Sequence, residues 1–556
     1  SALCDAFTRN LSDERALPRI QAPGARVGKG ENVGSAGLRG STSSYACTPW
    51  VANYLLRTAR DEGVRREVYF KALSSPERNR DILDEILALR QTLARRSSRN
   101  GKHNDSLSTP FPHPLDPSAA ASYGEHSLRV NSLAKSPVTV KAFLGELSEL
   151  LEPKAREEYD SLVEFAGRSS RMAPQGGRIQ PWNAAFFQQQ AKASVVDVDE
   201  AFLSNYFPLA GCLQGIKLVL RESFGLECEV TRVEGGPEGE SWCQDLHKLT
   251  LREREGAGNS PWTSQEGREV GAVYLDLFRR EKKVQQNAHY VVQCARKESQ
   301  GRPFQPAIVV ILCSFGGRRA SGGEPVLFPS EARTLFHEFG HALHSVLSSS
   351  KYHYLSGTRA ELDFIEVPST LFEKFAFHPK VVETFARHVE TGEALPLRLL
   401  ETWVRGEERF KALGMKAQIA CAMSDQIAHH DWGLGTDGRD ISEIFIGETA
   451  RHALIPHAPK TLPQCRFAPI VHYGSYYYTY IYAECISSAL FHDLFRENPL
   501  SREGGQVART LLANAGARDP ARLLHEAGGG YVRPASAREG PAGGKGAIPN
   551  LEKFIL

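Results

Sequence analysis

What this sequence lacks narrows its function before any motif is read. No run of apolar residues reaches the ~18 that a membrane-crossing helix needs; the longest, Ala307 to Cys313, is only strand length. No excess of one charge exists, because 67 basic and 65 acidic residues leave a net +2. A nucleic-acid polyanion is therefore a poor fit as main partner. The 10 cysteines include no CxxC pair and no cluster, which argues against a disulfide framework and for a reducing compartment. Cys313, inside the apolar run, reads as a buried free thiol. No signal peptide is visible after Ser1, and no internal repeat is present.

With 556 residues there is chain enough for a large core. Ser1 to Thr48, rich in Gly, Ser, Ala and Arg, reads as a flexible or truncated N-terminal segment, loosest from Gly24 to Ser44. Helical periodicity begins near Pro49. It predicts helices over Arg78–Leu93 and Pro137–Leu151, with a basic polar loop at Arg95–His103. The character shifts at Pro181. Ala272–Phe278 and Ala307–Phe315 read as strands, and Gly256–Gly267 and Gly316–Pro325 as loops. Pro329-Ser330-Glu331 signals a helix start, with Ser330 as N-cap, and the helix should run to about Leu347. Beyond it, Leu399–His429 reads as helix broken at Gly414, Tyr477–Phe495 as another helix, and Arg533–Gly546 as a Pro/Gly-rich loop. The expected class is mainly α, with a small β-sheet beside the helix that starts at Pro329.

That helix carries Phe336-His337-Glu338-Phe339-Gly340-His341. Histidines four residues apart point the same way from a helix. Both imidazoles can bind one zinc ion at ~2.0–2.1 Å. Glu338, about 100° round the helix, stands where a carboxylate can take a proton from a water molecule held there. A catalytic zinc has three protein ligands and one open position. Glu361-Leu362-Asp363-Phe364-Ile365-Glu366-Val367-Pro368 offers three carboxylates for the third. Glu366 is preferred, because Pro368 just after it suits a helix start. Glu361 and Asp363 remain candidates for contacts to a histidine N–H, as does Glu373 further along. His344 could pair with His341, but only His337 and His341 bracket a glutamate; His344 reads as a packed or hydrogen-bonded histidine. Manganese or cobalt could occupy such a site in place of zinc.

Tyr473-Gly474-Ser475-Tyr476-Tyr477-Tyr478-Thr479-Tyr480 follows directly on His472. Peptide hydrolysis needs donors for the oxyanion that develops on the scissile carbonyl, and tyrosine hydroxyls can serve. Tyr473, Tyr477 and Tyr480 also have the spacing of an aromatic core stripe.

These segments resemble the M3 family of zinc oligopeptidases, the thimet oligopeptidase group. The resemblance rests on Phe336–His344 (FHEFGHALH), Ser356–Arg359 (SGTR), Asp363–Ser369 (DFIEVPS) and Tyr473–Tyr480, with Gly63–Arg66 and Pro181-Trp182 upstream. It covers roughly residues 50 to 530. It implies His337, His341 and Glu366 as ligands of one zinc per chain, Glu338 as base, and Tyr473, Tyr477 and Tyr480 as the substrate-side tyrosines. It implies two helical lobes flanking a deep channel that admits peptides or unfolded precursor proteins. On this reading residues 49–180 are part of the helical lobe and 181–556 the catalytic portion. The subgroup most resembled trims octapeptides from imported precursors in the mitochondrial matrix; a cytoplasmic location is the alternative, and a monomer is expected. A general oligopeptidase and an inactive peptide-binding scaffold are the rival functions. Two departures stand out. Where the family carries a histidine ahead of the tyrosines, this chain has Pro469, with His472 three residues later. The chain is also short at its N-terminus for this family, so part of the first lobe and any transit peptide are expected to be missing.

Overall fold

The computed structural model describes the chain apart from residues 1, 14–16, 24–41, 75, 101–121, 169–176, 196–199, 234–239, 255–266, 299–302, 321–322, 349, 431–439, 536–545 and 555–556. Helices dominate, as the periodicity requires. The strands are β1 (Arg19–Pro23), β2 (Thr42–Ala46), β3 (Leu226–Arg232), β4 (His247–Glu253), β5 (Glu269–Phe278), β6 (Ala288–Gln293), β7 (Ala307–Phe315), β8 (Val532–Pro534) and β9 (Ala547–Pro549). Five of them form one sheet in the order β3-β4-β5-β7-β6. Within it β5 and β7 run parallel, and the other pairs are antiparallel. Strand β6 is thus an outer strand of this sheet.

The HExxH helix, Pro329–Leu347, follows β7 after the connection 316–328 and packs back on the sheet. Its other side meets the helix Glu366–Ala376, called here the glutamate helix. Phe336 and Phe339 both pack against Phe372 of that helix, at 5.8 and 5.6 Å between ring centres. All three rings are at most 2% exposed. Each is worth about 1.5–3 kcal/mol of burial. The same core takes in the sheet and the helix Thr479–Leu494.

Several expectations shift by a physical cause. The cap of the HExxH helix is Phe328, not Ser330. Pro329 takes the first helical position, which suits its fixed φ and missing N–H. Glu331 then does the capping: its carboxylate accepts from Phe328 N (3.0 Å) and Gly316 N (2.8 Å), tying the incoming loop to the helix. The helix from Pro137 runs through Pro153 to Gly167, because Ala155, Leu162 and Ala166 keep an apolar face buried beyond the proline. The helix from Arg78 continues to Asn100, so residues 95–100 are helical where a loop was expected; 101–103 lie outside the described residues. The break expected at Gly414 falls instead at Arg409-Phe410, between helices Leu397–Glu408 and Lys411–His430. Phe410 adopts φ +68° there and is buried among Phe186, Phe187 and Leu413, so burial of the ring sets the turn. A helix at Ala2–Ser12 was not anticipated. The Gly24–Ser44 stretch lies largely outside the described residues, with 42–44 in β2; the Gly256–Gly267 and Arg533–Gly546 loops are likewise mostly outside them.

Candidate metal centre

Two helices and one close approach build the site. Gly340 is where the HExxH and glutamate helices meet: a Cβ there would lie 2.6 Å from both Pro368 O and Ser369 Cα. Only a glycine lets the backbones come this near. That contact brings the first turn of the glutamate helix, and with it Glu366, beside the two histidines.

Donor atoms of His337, His341 and Glu366 all lie within 4.8 Å of one another, and no other such group of three occurs among the described residues. Glu366 Oε2 is 3.6 Å from His337 Nε2 and 3.3 Å from His341 Nε2. A tetrahedral zinc with ~2.0–2.1 Å bonds sets its donors about 3.3–3.4 Å apart. Two imidazole nitrogens and one carboxylate oxygen at these separations fit such an ion. Ser369 Oγ donates to Glu366 Oε2 (3.1 Å), fixing the carboxylate. Burial pushes the Glu366 carboxyl up, but His341, His337 and Ser369 overcome it and hold it below its usual range.

The contact to a histidine N–H comes from Glu373, whose Oε1 lies 2.5 Å from His337 Nδ1. This fixes the ring with Nε2 free to ligate. Burial disfavours charge on His337, yet Glu373, Glu366 and Glu338 together raise its affinity for a proton. Asp363 is not such a partner, correcting one expectation. It is fully buried and accepts from Leu133 N, Ala134 N and the Tyr478 hydroxyl (2.7 Å). Burial lifts it to about 6 against those bonds. Glu361 makes no hydrogen bond or ion pair to either ring among the described residues; burial raises its carboxyl as well.

Glu338 is 5% exposed, and its Oε2 has no hydrogen-bond partner among the described residues. Burial raises its carboxyl despite His341 and His337 nearby. A dry carboxylate with a spare acceptor suits a general base. His344 is buried with neither ring nitrogen bonded, packed edge-on against Phe364, and burial lowers it to about 3. It is a packed histidine, as expected.

The tyrosines come from a turn and from the start of the helix Thr479–Leu494 that follows it. Tyr480 lies on a cleft of about 930 Å³ that also exposes His337. Burial raises its phenol, then Tyr473 and Glu366 nearby, so it stays a donor. Tyr473 and Tyr477 each pack edge-on against Tyr480 at 6.0 Å. Tyr473 is exposed, whereas Tyr477 is pressed on Phe467 at 4.7 Å. Tyr480 therefore shares the cleft of His337 and lies near enough to Glu366 to feel its charge, with Tyr473 and Tyr477 packed on its ring. The turn they share is pinned by Asp425, which accepts from Ser475 N (3.1 Å) and Tyr477 N (3.2 Å), and by Gln426, which donates to Ser475 O. His472 is exposed and bonded to Thr8 (2.8 Å), so it does not stand in for the histidine replaced by Pro469.

Sequence reasoning missed Asp425, Gln426 and His289. His289, on β6, stacks on His341 at 5.8 Å and bonds Ser345 Oγ (2.8 Å). Burial holds it neutral, at about 3. No local spacing announces any of the three.

The chain belongs to peptidase family M3, whose model matches residues 120–538; with its His-His-Glu group it is a metallopeptidase of that family. Among its relatives is the mitochondrial intermediate peptidase of Arabidopsis thaliana, 31% identical over 546 residues, covering 95% of this chain and 71% of that protein. The human mitochondrial intermediate peptidase is 31% identical over 406 residues, covering 72% of this chain. The chain spans only 53% of the human relative's length. Among solved structures, PZ peptidase A with an inhibitor matches over 97% of this chain and 73% of its own, with a TM-score of 0.50 at 12% identity. That likeness speaks to the fold alone.

Proposed function

We propose that the chain hydrolyses peptide bonds as a zinc endopeptidase, acting on unfolded segments. The observation that carries this is the meeting of Glu366 Oε2 with both histidine Nε2 atoms, at 3.3 and 3.6 Å, beside a buried glutamate with a free acceptor. His337, His341 and Glu366 would hold the zinc, which when bound supplies Lewis acidity towards the attacking water and the scissile carbonyl. Glu338 takes the proton from that water and returns it to the leaving nitrogen. Tyr480, with Tyr473 beside it, donates to the developing oxyanion. Tyr477 supports Tyr480. An extended substrate adds to the outer strand β6, which leads to the metal group through His289.

The finer reading is removal of an N-terminal octapeptide from imported precursors in the mitochondrial matrix; it takes its support from the motifs' resemblance to the subgroup that does this, and from relatives named as mitochondrial intermediate peptidases. A second reading, cleavage of short free peptides, is favoured by the excess of lysine and arginine over glutamate in the cleft at His337. Intact ligands and base speak against an inactive scaffold. The test incubates the zinc-loaded chain with an octapeptide-bearing precursor and with a library of short peptides. Single trimming of the precursor supports the processing reading. Efficient cleavage of the library with the precursor untouched supports the second, and no cleavage of either by a zinc-loaded sample defeats both.

A further inference from the structure

The cleft that exposes His337 carries a positive excess that nothing in the metal centre uses. Twice, one carboxylate lies between two cations. Glu484 is 3.3 Å from Lys374 and 3.2 Å from Lys411. Burial pushes the Glu484 carboxyl up, but the two lysines hold it below its usual range, so it is ionised. Glu407 is 3.8 Å from both Lys192 and Arg333. Each trio leaves one positive charge over. Glu373 is engaged by His337, and over the whole lining six lysines and arginines face four glutamates.

Two of these cations have donors to spare. Arg333 stands on the HExxH helix one turn before His337, at the i, i+4 spacing that shares a face. Its guanidinium is held over Phe377 and Trp403, at 5.2 and 5.5 Å from the ring centres. It makes no hydrogen bond among the described residues, and its ion pair to Glu407 is too long for one. Stacking thus fixes the guanidinium while leaving its fork of N–H groups open, the geometry that receives a carboxylate. Lys411 has three N–H groups and one acceptor, Glu484 Oε1, among the described residues.

We propose that this side of the cleft is a carboxylate-binding subsite, in which Arg333 and Lys411 hold a negatively charged group of the substrate on the C-terminal side of the scissile bond. The direction is part of the proposal and takes the peptide antiparallel to β6, as β7 is on its other side. A peptide paired antiparallel with it lays its N-terminal part along Tyr290 to Gln293. Its C-terminal part leaves past His289 and the metal group, towards His337. The carboxylate has two sources: the α-carboxylate of a short peptide or an acidic side chain. The inference rests on the peptidase reading and narrows its substrate class.

The test uses one fluorescence-quenched peptide in three forms: free C-terminal carboxylate, C-terminal amide, and amide with one glutamate moved stepwise along the C-terminal half. Each is measured for hydrolysis by the zinc-loaded chain, and for binding by anisotropy. The free acid should exceed the amide about tenfold or more in kcat/KM, chiefly through KM. The ratio should fall towards one in Arg333→Gln, recover partly in Arg333→Lys, and shrink with added salt. Lys411→Gln should reduce it too, which keeps the test alive if Arg333→Gln does not fold. A preference for the glutamate amide over the free acid assigns the site to a side chain, within the same proposal. Equal rates and equal binding for all three forms overturn it while leaving the peptidase reading intact. Selective binding without hydrolysis defeats the peptidase reading and leaves the subsite standing.

Discussion

The two histidines of the metal group are one turn apart on one helix, yet they are held by opposite means. His337 faces the charged cleft and leans on a carboxylate, Glu373, 2.5 Å from its Nδ1. His341 Nδ1 has no bonded partner among the described residues, and its ring lies against the neutral ring of His289. Charge sets the first ring; packing sets the second. The lesson is that a symmetric motif in sequence becomes an asymmetric site once sheet and cleft lie on different sides of it.

Substitutions can break or sharpen this contrast. The largest effect should come between the two rings. Glu338→Gln should lower kcat by about 10²–10⁴-fold with zinc content unchanged; normal turnover in that variant would remove Glu338 from the base role. Next comes the charged side. Glu373→Gln should weaken zinc binding about 10–100-fold, read by competition with a chelator. His289→Ala, on the packed side, should weaken it clearly less. Equal losses would mean that both rings are held alike.

Smaller still is the hinge of the arrangement. Gly340→Ala places a methyl against Pro368 O and Ser369 Cα, and should cost about 1–3 kcal/mol of stability by denaturant unfolding. A wild-type midpoint would mean the two helices can part without strain.

The smallest effect separates the sides by pH. His344 is held at about 3, below its ordinary 6.5, because burial disfavours its charge. The unfolded chain therefore binds more protons below pH 6.5, and stability falls as the pH drops. The slope is about 1.4 kcal/mol per pH unit for one such group. His344→Leu should flatten the melting temperature between pH 6.5 and 5 by that contribution; an unchanged slope would place the acid sensitivity elsewhere.

The parts of the site legible in sequence are those with a local period. His337, Glu338 and His341 are fixed by helix geometry, and Glu366 by its neighbourhood to Pro368. Strand β7 spans the expected Ala307–Phe315 at both ends, because an apolar run of this length between a proline and a glycine is strand-like. Asp425 and His289 were illegible, because each acts on residues about 50 positions away through contacts no spacing encodes. The turn at Phe410 was misplaced for a related reason: a buried aromatic outweighed the conformational preference of a glycine four residues on.

The carboxylate of Asp363 has one more consequence. It gathers amides of Leu133 and Ala134 and the hydroxyl of Tyr478, three residues before the ligand Glu366. Segments hundreds of positions apart are riveted at a single point. A displacement of any one of these segments would therefore have to break that knot or drag Glu366 and the tyrosine turn along together.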